Sequence, residues 1–285
     1  MGWRVIARSA IGTRHQDQQQ PCQDYGAVVV AAPKAMRDGQ RPALEGHRHG
    51  VIVGAVADGA GSAPHSAIGA KLAVATTLKY LATSEAWLQK RQRSWQRWPQ
   101  PPSEELMRRL FTKAVMRSQA QITQQASTKG WEPQDLACTL LAFLATPDWL
   151  AAMQIGDGFM VVRYGRAAPA KAEYELLFEP DRGEFANQTT FITAADALTS
   201  MQVAVVGQPP AFIAAATDGL ERVALRLKDW APFAPFFSPL EEYLEETPNP
   251  ETDDEYLMSF LTSERLNQKT DDDKTLLLCR CDRST

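Results

Sequence analysis

The chain has 285 residues, enough to bury a sizeable core, and 44% of them are hydrophobic and 22% charged, as in ordinary soluble proteins. A net charge of −4 argues against nucleic acid as a partner, because a phosphate backbone requires a basic face. No apolar run approaches the roughly 20 residues of a membrane-spanning helix, and no signal-peptide pattern follows Met1. The four cysteines are too few for a disulfide scaffold, so the sequence predicts a reduced, cytoplasmic protein outside the membrane.

The first part of the chain predicts two strands and two helices. Short apolar runs at 26–31 and 51–57 are typical of strands. Apolar residues at helical spacing predict one helix over 66–83 and a second over 103–125. Between these helices, the segment 84–103 is rich in glutamine, arginine and tryptophan and ends in prolines, which predicts a surface insertion.

A strand-rich block and a helical segment complete the chain. Turn residues separate short apolar runs at 136–145, 149–155, 159–164, 174–178, 201–206 and 212–216. Their hairpin-like spacing favours antiparallel pairing. Residues 228–266 return to helix, either as a pair that packs on the core or as a flap beside the substrate, and 275–281 is a last strand. This order predicts a single α+β domain over residues 1–285, built of stacked layers.

Several of the apolar runs lead directly into an aspartate, often with a glycine beside it. A strand end is a rigid mount for a carboxylate, and glycine lets a neighbouring backbone approach closely. Carboxylates that met at one edge would repel each other by roughly 4 kcal/mol at about 4 Å, unless cations were bound between them. Oxygen ligands select hard ions such as Mg²⁺ or Mn²⁺, and two such ions can activate a water for attack on phosphorus. The aspartates concerned are Asp24, Asp58, Asp157, Asp218 and the cluster Asp271-Asp272-Asp273.

A single Asp-Gly pair is a common turn, so the hypothesis depends on the whole series and its order. The series is Gln23-Asp24, Asp58-Gly59-Ala60-Gly61, Cys138-Thr139-Leu140-Leu141, Gly156-Asp157, Thr217-Asp218-Gly219 and Asp272-Asp273-Lys274-Thr275. It resembles the motifs of the PPM-type (type 2C) metal-dependent Ser/Thr protein phosphatases, and the stretch 12–24 resembles a bacterial subgroup of that family. The resemblance extends over residues 4–281. It implies two stacked antiparallel β-sheets flanked by helices, an α-β-β-α sandwich with the metals at one edge.

The resemblance also implies a set of ligands and partners. Asp58 would bridge two metal ions, Asp24 would serve one of them directly or through water, and Asp157 with Asp218 would hold a third, looser ion. The implied cofactor is Mn²⁺ or Mg²⁺, as two or three ions. The implied substrate is a phosphorylated protein, with a Ser/Thr kinase as functional counterpart. The implied metal ligands are Asp24, Asp58, the Gly59 carbonyl, Asp157, Asp218 and Asp272.

Two positions near the N-terminus depart from the family's pattern. Gln23 stands where an acid is usual, so an amide replaces one carboxylate of the acidic pair. Gln19 stands where a phosphate-binding arginine often lies. Arg14 is the predicted substitute, because a guanidinium can bind a phosphate through two hydrogen bonds, and Arg4 and Arg8 are further candidates.

A third departure concerns the general acid that would protonate the leaving oxygen. Ala60 stands where a histidine often lies, and His65 or His15 are the alternative candidates for that role. The departures leave open a second interpretation, a catalytically weak phosphatase-like regulatory or binding module. A third is a hydrolase of small phosphate esters, which only substrate assays would distinguish. The retained aspartates favour hydrolysis of phosphoserine or phosphothreonine on proteins, by direct attack of a water that bridges two cations.

Overall fold

The structure of the chain is a computed structural model that describes residues 2–31, 50–91, 100–165, 173–179 and 189–282. Its strands are β1 (Gly2–Ala10), β2 (Tyr25–Ala31), β3 (Val51–Ala57), β4 (Leu140–Ala145), β5 (Leu150–Ile155), β6 (Phe159–Tyr164), β7 (Glu175–Leu176), β8 (Gln202–Val206), β9 (Pro210–Ala216), β10 (Leu225–Arg226), β11 (Ala231–Pro232) and β12 (Lys274–Asp282). Its helices are α1 (Thr13–Asp17), α2 (Ser66–Arg91), α3 (Glu104–Lys129), α4 (Ala197–Ser200), α5 (Glu221–Ala224), α6 (Ala234–Glu246), α7 (Glu255–Leu261) and α8 (Glu264–Asn267).

Two five-stranded sheets form the centre of the protein. One has the order β1-β12-β9-β6-β7 and the other the order β2-β3-β4-β5-β8, with a separate β10-β11 pair. Every strand pair is antiparallel. The predicted antiparallel, two-sheet α+β fold is therefore confirmed.

The apolar residues divide into three layers that hold the sheets and helices together. Leu277 and Phe143 belong to the layer between the two sheets. Leu276 and Leu278 face the opposite side of β12, where they pack with the helices α6 to α8. Phe111 belongs to the layer that joins α2 and α3 to the second sheet. Because both faces of β12 are buried, its sequence is a continuous apolar run rather than an alternating one.

The ends of α3 follow from local chemistry. The Ser103 side chain accepts a hydrogen bond from the Leu106 amide and so caps the first turn. Gly130 ends the helix with a φ of 72°, a left-handed conformation that glycine adopts without steric cost. The predicted second helix therefore exists, and it is four residues longer at its C-terminus than the expected 103–125.

Two features differ from the sequence-based prediction, and part of a third prediction lies outside the described residues. Strand β1 was not predicted, because Arg4 and Arg8 interrupt its apolar pattern. Helix α2 continues to Arg91, past the expected end at Thr83, so the first part of the predicted insertion is helical. Residues 92–99 of that insertion lie outside the described part of the chain, and its role stays a prediction.

The segment 228–266 contains the helical layer of the first sheet. Helix α6 buries Phe237 and Leu240 in that layer, which favours core packing over a substrate-side flap. Its Glu241 is fully buried and accepts hydrogen bonds from Arg163 on β6 and from the Tyr174 hydroxyl, the latter at 2.9 Å. The buried charge is thus paired and hydrogen-bonded, as a stable interior requires. Within the described ranges, no helix has the length and apolar character needed to cross a membrane.

Candidate metal centre

Five aspartates come together where several strands meet at one edge of the sandwich. Asp58 directly follows β3, Asp157 lies in the turn between β5 and β6, and Asp218 follows β9. Asp24 directly precedes β2, and Asp272 lies just before β12. Carboxylate oxygens of Asp58, Asp157 and Asp218 all lie within 4.8 Å of one another. Such spacing allows one cation to contact all three side chains.

Asp24 is buried beside this cluster. Its Oδ2 accepts a hydrogen bond from the Thr217 hydroxyl at 2.6 Å, and it shares a second hydrogen bond with the Asp58 carboxyl. Burial raises the pKa of Asp24 to about 7, although these two hydrogen bonds act in the opposite direction. The nearby charges of Asp273 and Asp272 raise it further.

Burial and neighbouring carboxylates also raise the pKa values of the aspartates at the centre of the cluster. Burial raises the pKa of Asp58 well above its usual range, and the charges of Asp24 and Asp218 raise it further. Burial also raises the pKa of Asp218, followed by the charges of Asp157 and Asp272. In the protein alone, these groups reduce the repulsion by keeping protons. Divalent cations would remove the same repulsion with all carboxylates ionised, so the residues present fit hard, oxygen-seeking ions such as Mn²⁺ or Mg²⁺.

Two glycines are required because neighbouring backbone passes very close to them. A Cβ on Gly59 would lie 2.8 Å from the Gln23 carbonyl oxygen and from Ser66 Cβ. A Cβ on Gly219 would lie 1.9 Å from the Asp273 carbonyl oxygen. These approaches bring the segments that carry Asp58 and Asp218 against the loops that carry the other acids. The role of the Gly59 carbonyl as a metal ligand stays a prediction.

Three threonines orient the aspartates, and none of these roles was predicted from the sequence. The Thr139 hydroxyl accepts a hydrogen bond from the Asp58 amide at 2.9 Å, and the Thr139 amide donates to the Asp58 carbonyl at 2.8 Å. The Thr189 hydroxyl donates to Asp157 Oδ2, and Thr217 donates to Asp24. Thr139 and Thr217 lie in the recognised motifs, which was a usable signal. Nothing in the sequence around Thr189 indicated its contact.

Asp273 is a further residue with a supporting role that was not predicted from the sequence. It is buried and accepts hydrogen bonds from the Gly12 amide at 2.7 Å and the Gln23 amide at 2.6 Å. Its Oδ2 also lies 2.9 Å from Nδ1 of His15. Asp273 therefore fixes the loop between α1 and β2, which delivers Asp24 to the cluster.

The predicted phosphate-binding residue lies at the rim of the cluster. Arg14 Nη2 is 2.9 Å from Asp272 Oδ1, and 44% of the Arg14 side chain is exposed. Its guanidinium is therefore both close to the acids and open to solvent. Arg4 and Arg8 are paired instead with Asp282 and Asp254, on the side of β1 that faces the helical layer. They are poor candidates for the phosphate site.

The two candidate general acids occupy different surroundings. His15 is buried against Asp273, one residue from Asp272. The His65 ring stacks on Trp131 with centroids 3.5 Å apart, and the His65 amide donates to the Asp135 carbonyl. His15 therefore contacts the neighbour of a cluster aspartate, whereas the named contacts of His65 are with Trp131 and Asp135. A general-acid role for either histidine stays a prediction.

Thr217→Val is expected to destabilise the protein by about 1–3 kcal/mol, because the substitution removes a buried hydrogen-bonding group. Asp24 would lose its donor, and the Thr275 amide would lose the acceptor that now lies 3.0 Å away. Urea denaturation would measure the change. Thr217→Ser keeps the hydroxyl and is the matched control. Equal stability of the valine variant and the wild type would contradict the described contacts.

A sandwich of two antiparallel sheets with a carboxylate centre at one edge is the arrangement of a metal-dependent phosphohydrolase. The chain belongs to the protein phosphatase 2C family, whose family model matches residues 11–262. It is 34% identical over 280 residues to "Serine/threonine-protein phosphatase 3" of Escherichia coli (strain K12), an alignment that covers 98% of each protein. The predicted family is therefore confirmed, and the chain is a metal-dependent protein phosphatase.

Solved structures share the fold of this chain. The serine/threonine phosphatase of S. agalactiae superimposes with a TM-score of 0.60 at 14% identity, covering 99% of this chain and 100% of that one. The catalytic domain of the serine threonine protein phosphatase PstP, in complex with two manganese ions, gives a TM-score of 0.53 at 15% identity, covering 98% and 97%. At these identities the likeness shows the fold, which is the predicted α-β-β-α sandwich.

Proposed function

We propose that this protein hydrolyses phosphoserine and phosphothreonine on other proteins at the aspartate cluster, with two divalent cations as cofactor. The observation that carries the proposal is the convergence of Asp58, Asp157 and Asp218, with oxygens within 4.8 Å of one another. The name of the Escherichia coli relative, a serine/threonine-protein phosphatase, supports the choice of substrate. The proposed metal ligands are Asp24, Asp58, the Gly59 carbonyl, Asp218 and Asp272, with Asp157 and Asp218 at a third, weaker site.

When bound, the cations would supply Lewis acidity that activates water and neutralises charge on the phosphoryl group. The protein's own part is to orient the acids and the substrate. Thr139 and Thr217 hold Asp58 and Asp24 in fixed positions, and Asp273 holds the loop that carries Asp24. Preorganised charges of this kind are a large source of catalysis because they need no rearrangement during the reaction.

Arg14 is the proposed phosphate-binding residue. Its partly exposed guanidinium can turn from Asp272 towards a phosphate, where two parallel hydrogen bonds would hold the substrate. His15 is the preferred candidate for the proton donor to the leaving serine or threonine oxygen, because it lies beside the acidic loop. His65 is the alternative.

Manganese is the first ion to test, because the PstP catalytic domain was solved with two manganese ions. Magnesium suits the same carboxylate ligands. The substrates of this activity must be produced by a Ser/Thr kinase, which is the proposed functional counterpart. All four cysteines are free thiols, in keeping with the proposed cytoplasmic location.

The test is hydrolysis of a phosphothreonine peptide by the wild type and by Asp218→Asn, with Mn²⁺, with Mg²⁺ and after chelation. Activity is expected with a divalent ion, and it should be lost after chelation and in Asp218→Asn. A phosphotyrosine peptide is the substrate control. A folded wild type that binds Mn²⁺ and hydrolyses no phosphopeptide would overturn the proposal and favour the regulatory module.

Gln23→Glu is expected to lower the Mn²⁺ concentration that gives half-maximal binding by roughly tenfold, because it adds a carboxylate at a centre that binds cations. Gln23 is buried, and its Oε1 has no hydrogen-bond partner among the described residues. Isothermal titration calorimetry would measure the change. Gln20→Glu adds the same charge at an exposed position and is the control. Unchanged affinity in Gln23→Glu would place residue 23 outside the metal shell.

A further inference from the structure

A cavity of about 460 Å³ is lined by three segments that also carry or contact aspartates of the cluster. Its buried walls are Ala60, Ala63 and Ala137, each less than 8% exposed, with Phe191 packed against them. We call it the alanine pocket, after these residues. Its volume is within the range of sites that take a drug-sized group. Neither the metal site nor the proposed phosphate site uses it.

Each wall of the alanine pocket is continuous with a segment that holds an aspartate of the cluster. The first wall begins at Ala60, two residues after Asp58, and two residues span at most about 7 Å. Ala137 forms the second wall and accepts a hydrogen bond from the Ala60 amide at 2.9 Å. Two residues further on, Thr139 binds the backbone of Asp58.

The third wall comes from the segment after Thr189, whose hydroxyl contacts Asp157. The Ile192 amide donates to the Cys138 carbonyl at 2.8 Å, which fixes this segment against the second wall. Phe191 and Ala195 of this segment line the cavity. A substrate held at the cluster therefore has the pocket within a few residues of its phosphorylated side chain.

The chemistry of the lining disfavours an acidic occupant and offers apolar surface beside the polar side chains of Ser62, Gln134 and Thr193. Among the described residues that line the alanine pocket, Asp135 is the one charged group. Its Oδ2 already accepts a hydrogen bond from the Glu132 amide at 3.0 Å. An acidic side chain would be repelled by Asp135 and by the nearby cluster. The alanine and phenylalanine surfaces would instead gain from covering an apolar group.

We propose that the alanine pocket binds an apolar side chain of the substrate protein, located within three residues of the phosphorylated serine or threonine. The pocket thereby gives this phosphatase a sequence preference. This inference rests on the proposed function, because the substrate is placed by the aspartate cluster.

The test compares phosphothreonine peptides that carry Leu, Ser, Lys or Glu at each of the three positions before and after the phosphoresidue. A kcat/KM at least about tenfold higher for Leu than for Ser is expected at one position, from the burial of an apolar side chain. A preference for Lys or Glu at every position, or no preference at all, would overturn the proposal.

Variants that fill the pocket show whether the preference arises there. Ser62 and Ala195 line the pocket from different segments of the chain and are exposed, so tryptophan at either position can enter the space without disturbing the core. Ser62→Trp and Ala195→Trp are each expected to abolish the Leu-to-Ser ratio of kcat/KM. Ser127→Trp, on the exposed surface of α3, is the matched control and should keep it. A ratio that survives in both filled variants would overturn the proposal.

Two further measurements distinguish failure of the pocket from failure of the proposed function. Hydrolysis of p-nitrophenyl phosphate with Mn²⁺, together with hydrolysis of the Ser phosphothreonine peptide, tests the proposed function without the pocket, because neither substrate has an apolar side chain to place there. Binding of a fluorescent peptide with a non-hydrolysable phosphonate, measured by anisotropy, tests the pocket without turnover. If Leu and Ser phosphonate peptides bind wild type equally, the pocket proposal fails even where p-nitrophenyl phosphate is hydrolysed.

Discussion

Asp58→Asn is expected to lower phosphopeptide hydrolysis by at least about 10³-fold and, at the same time, to stabilise the metal-free protein. Activity falls because the substitution removes a central carboxylate of the proposed metal site. Stability rises because burial and the charges of Asp24 and Asp218 disfavour an ionised Asp58, as its raised pKa indicates. A neutral amide of nearly the same shape avoids that conflict. The expected gain is about 1–2 kcal/mol.

Differential scanning calorimetry of the metal-free proteins at pH 8 would measure the gain, as an increase of about 2–4 °C in Tm for each kcal/mol. The gain should shrink at pH 5, because a carboxyl group whose pKa is raised is then neutral in the wild type as well. Added Mn²⁺ should make the wild type more stable than Asp58→Asn. A ligand that binds only the folded state stabilises it by about 2.7 kcal/mol when the free ligand concentration is 100 times Kd. Asp148→Asn, at an exposed turn, is the control. A metal-free Asp58→Asn that is less stable than the wild type would contradict the electrostatic argument.

The acids of the centre were predictable because each one follows or precedes an apolar strand, and strand ends are readable from local pattern. Asp58, Asp157 and Asp218 were found in this way. The local positions of these acids were therefore available from the sequence. Their convergence was not, because it depends on the order of the strands within each sheet and on how the two sheets stack.

The supporting residues were not predictable because their roles depend on contacts between distant segments. Thr189 reaches Asp157 across 32 positions in the chain, and Asp273 reaches Gly12 across 261. No local pattern specifies such pairs. The ion pairs of Arg4 with Asp282 and of Arg8 with Asp254 were not predictable for the same reason, because each joins opposite ends of the chain. The alanine pocket combines three segments and also required the tertiary structure.

Gly219→Ala is expected to destabilise the protein by about 2–3 kcal/mol and to lower phosphopeptide hydrolysis by about 10²-fold. The added Cβ would lie 1.9 Å from the Asp273 carbonyl oxygen, a distance no van der Waals contact allows. The obstacle is backbone, so either the start of β12 or the turn that carries Asp218 must move. Movement of β12 would also disturb the hydrogen bonds that the Gly12 and Gln23 amides donate to the Asp273 carboxylate.

Gly61→Ala is the matched control. Gly61 also follows a cluster aspartate, in Asp58-Gly59-Ala60-Gly61, but nothing lies within 4 Å of the Cβ that the substitution would add. It is expected to change stability by less than about 0.5 kcal/mol. Chemical denaturation and Mn²⁺ titration of both variants would separate the two glycines. A Gly219→Ala variant with wild-type stability and metal affinity would mean that β12 does not pass so close to the Asp218 turn. A large loss in Gly219→Ala alone would show that the glycine after the metal-binding aspartate is needed for close packing of backbone, not for an unusual backbone conformation.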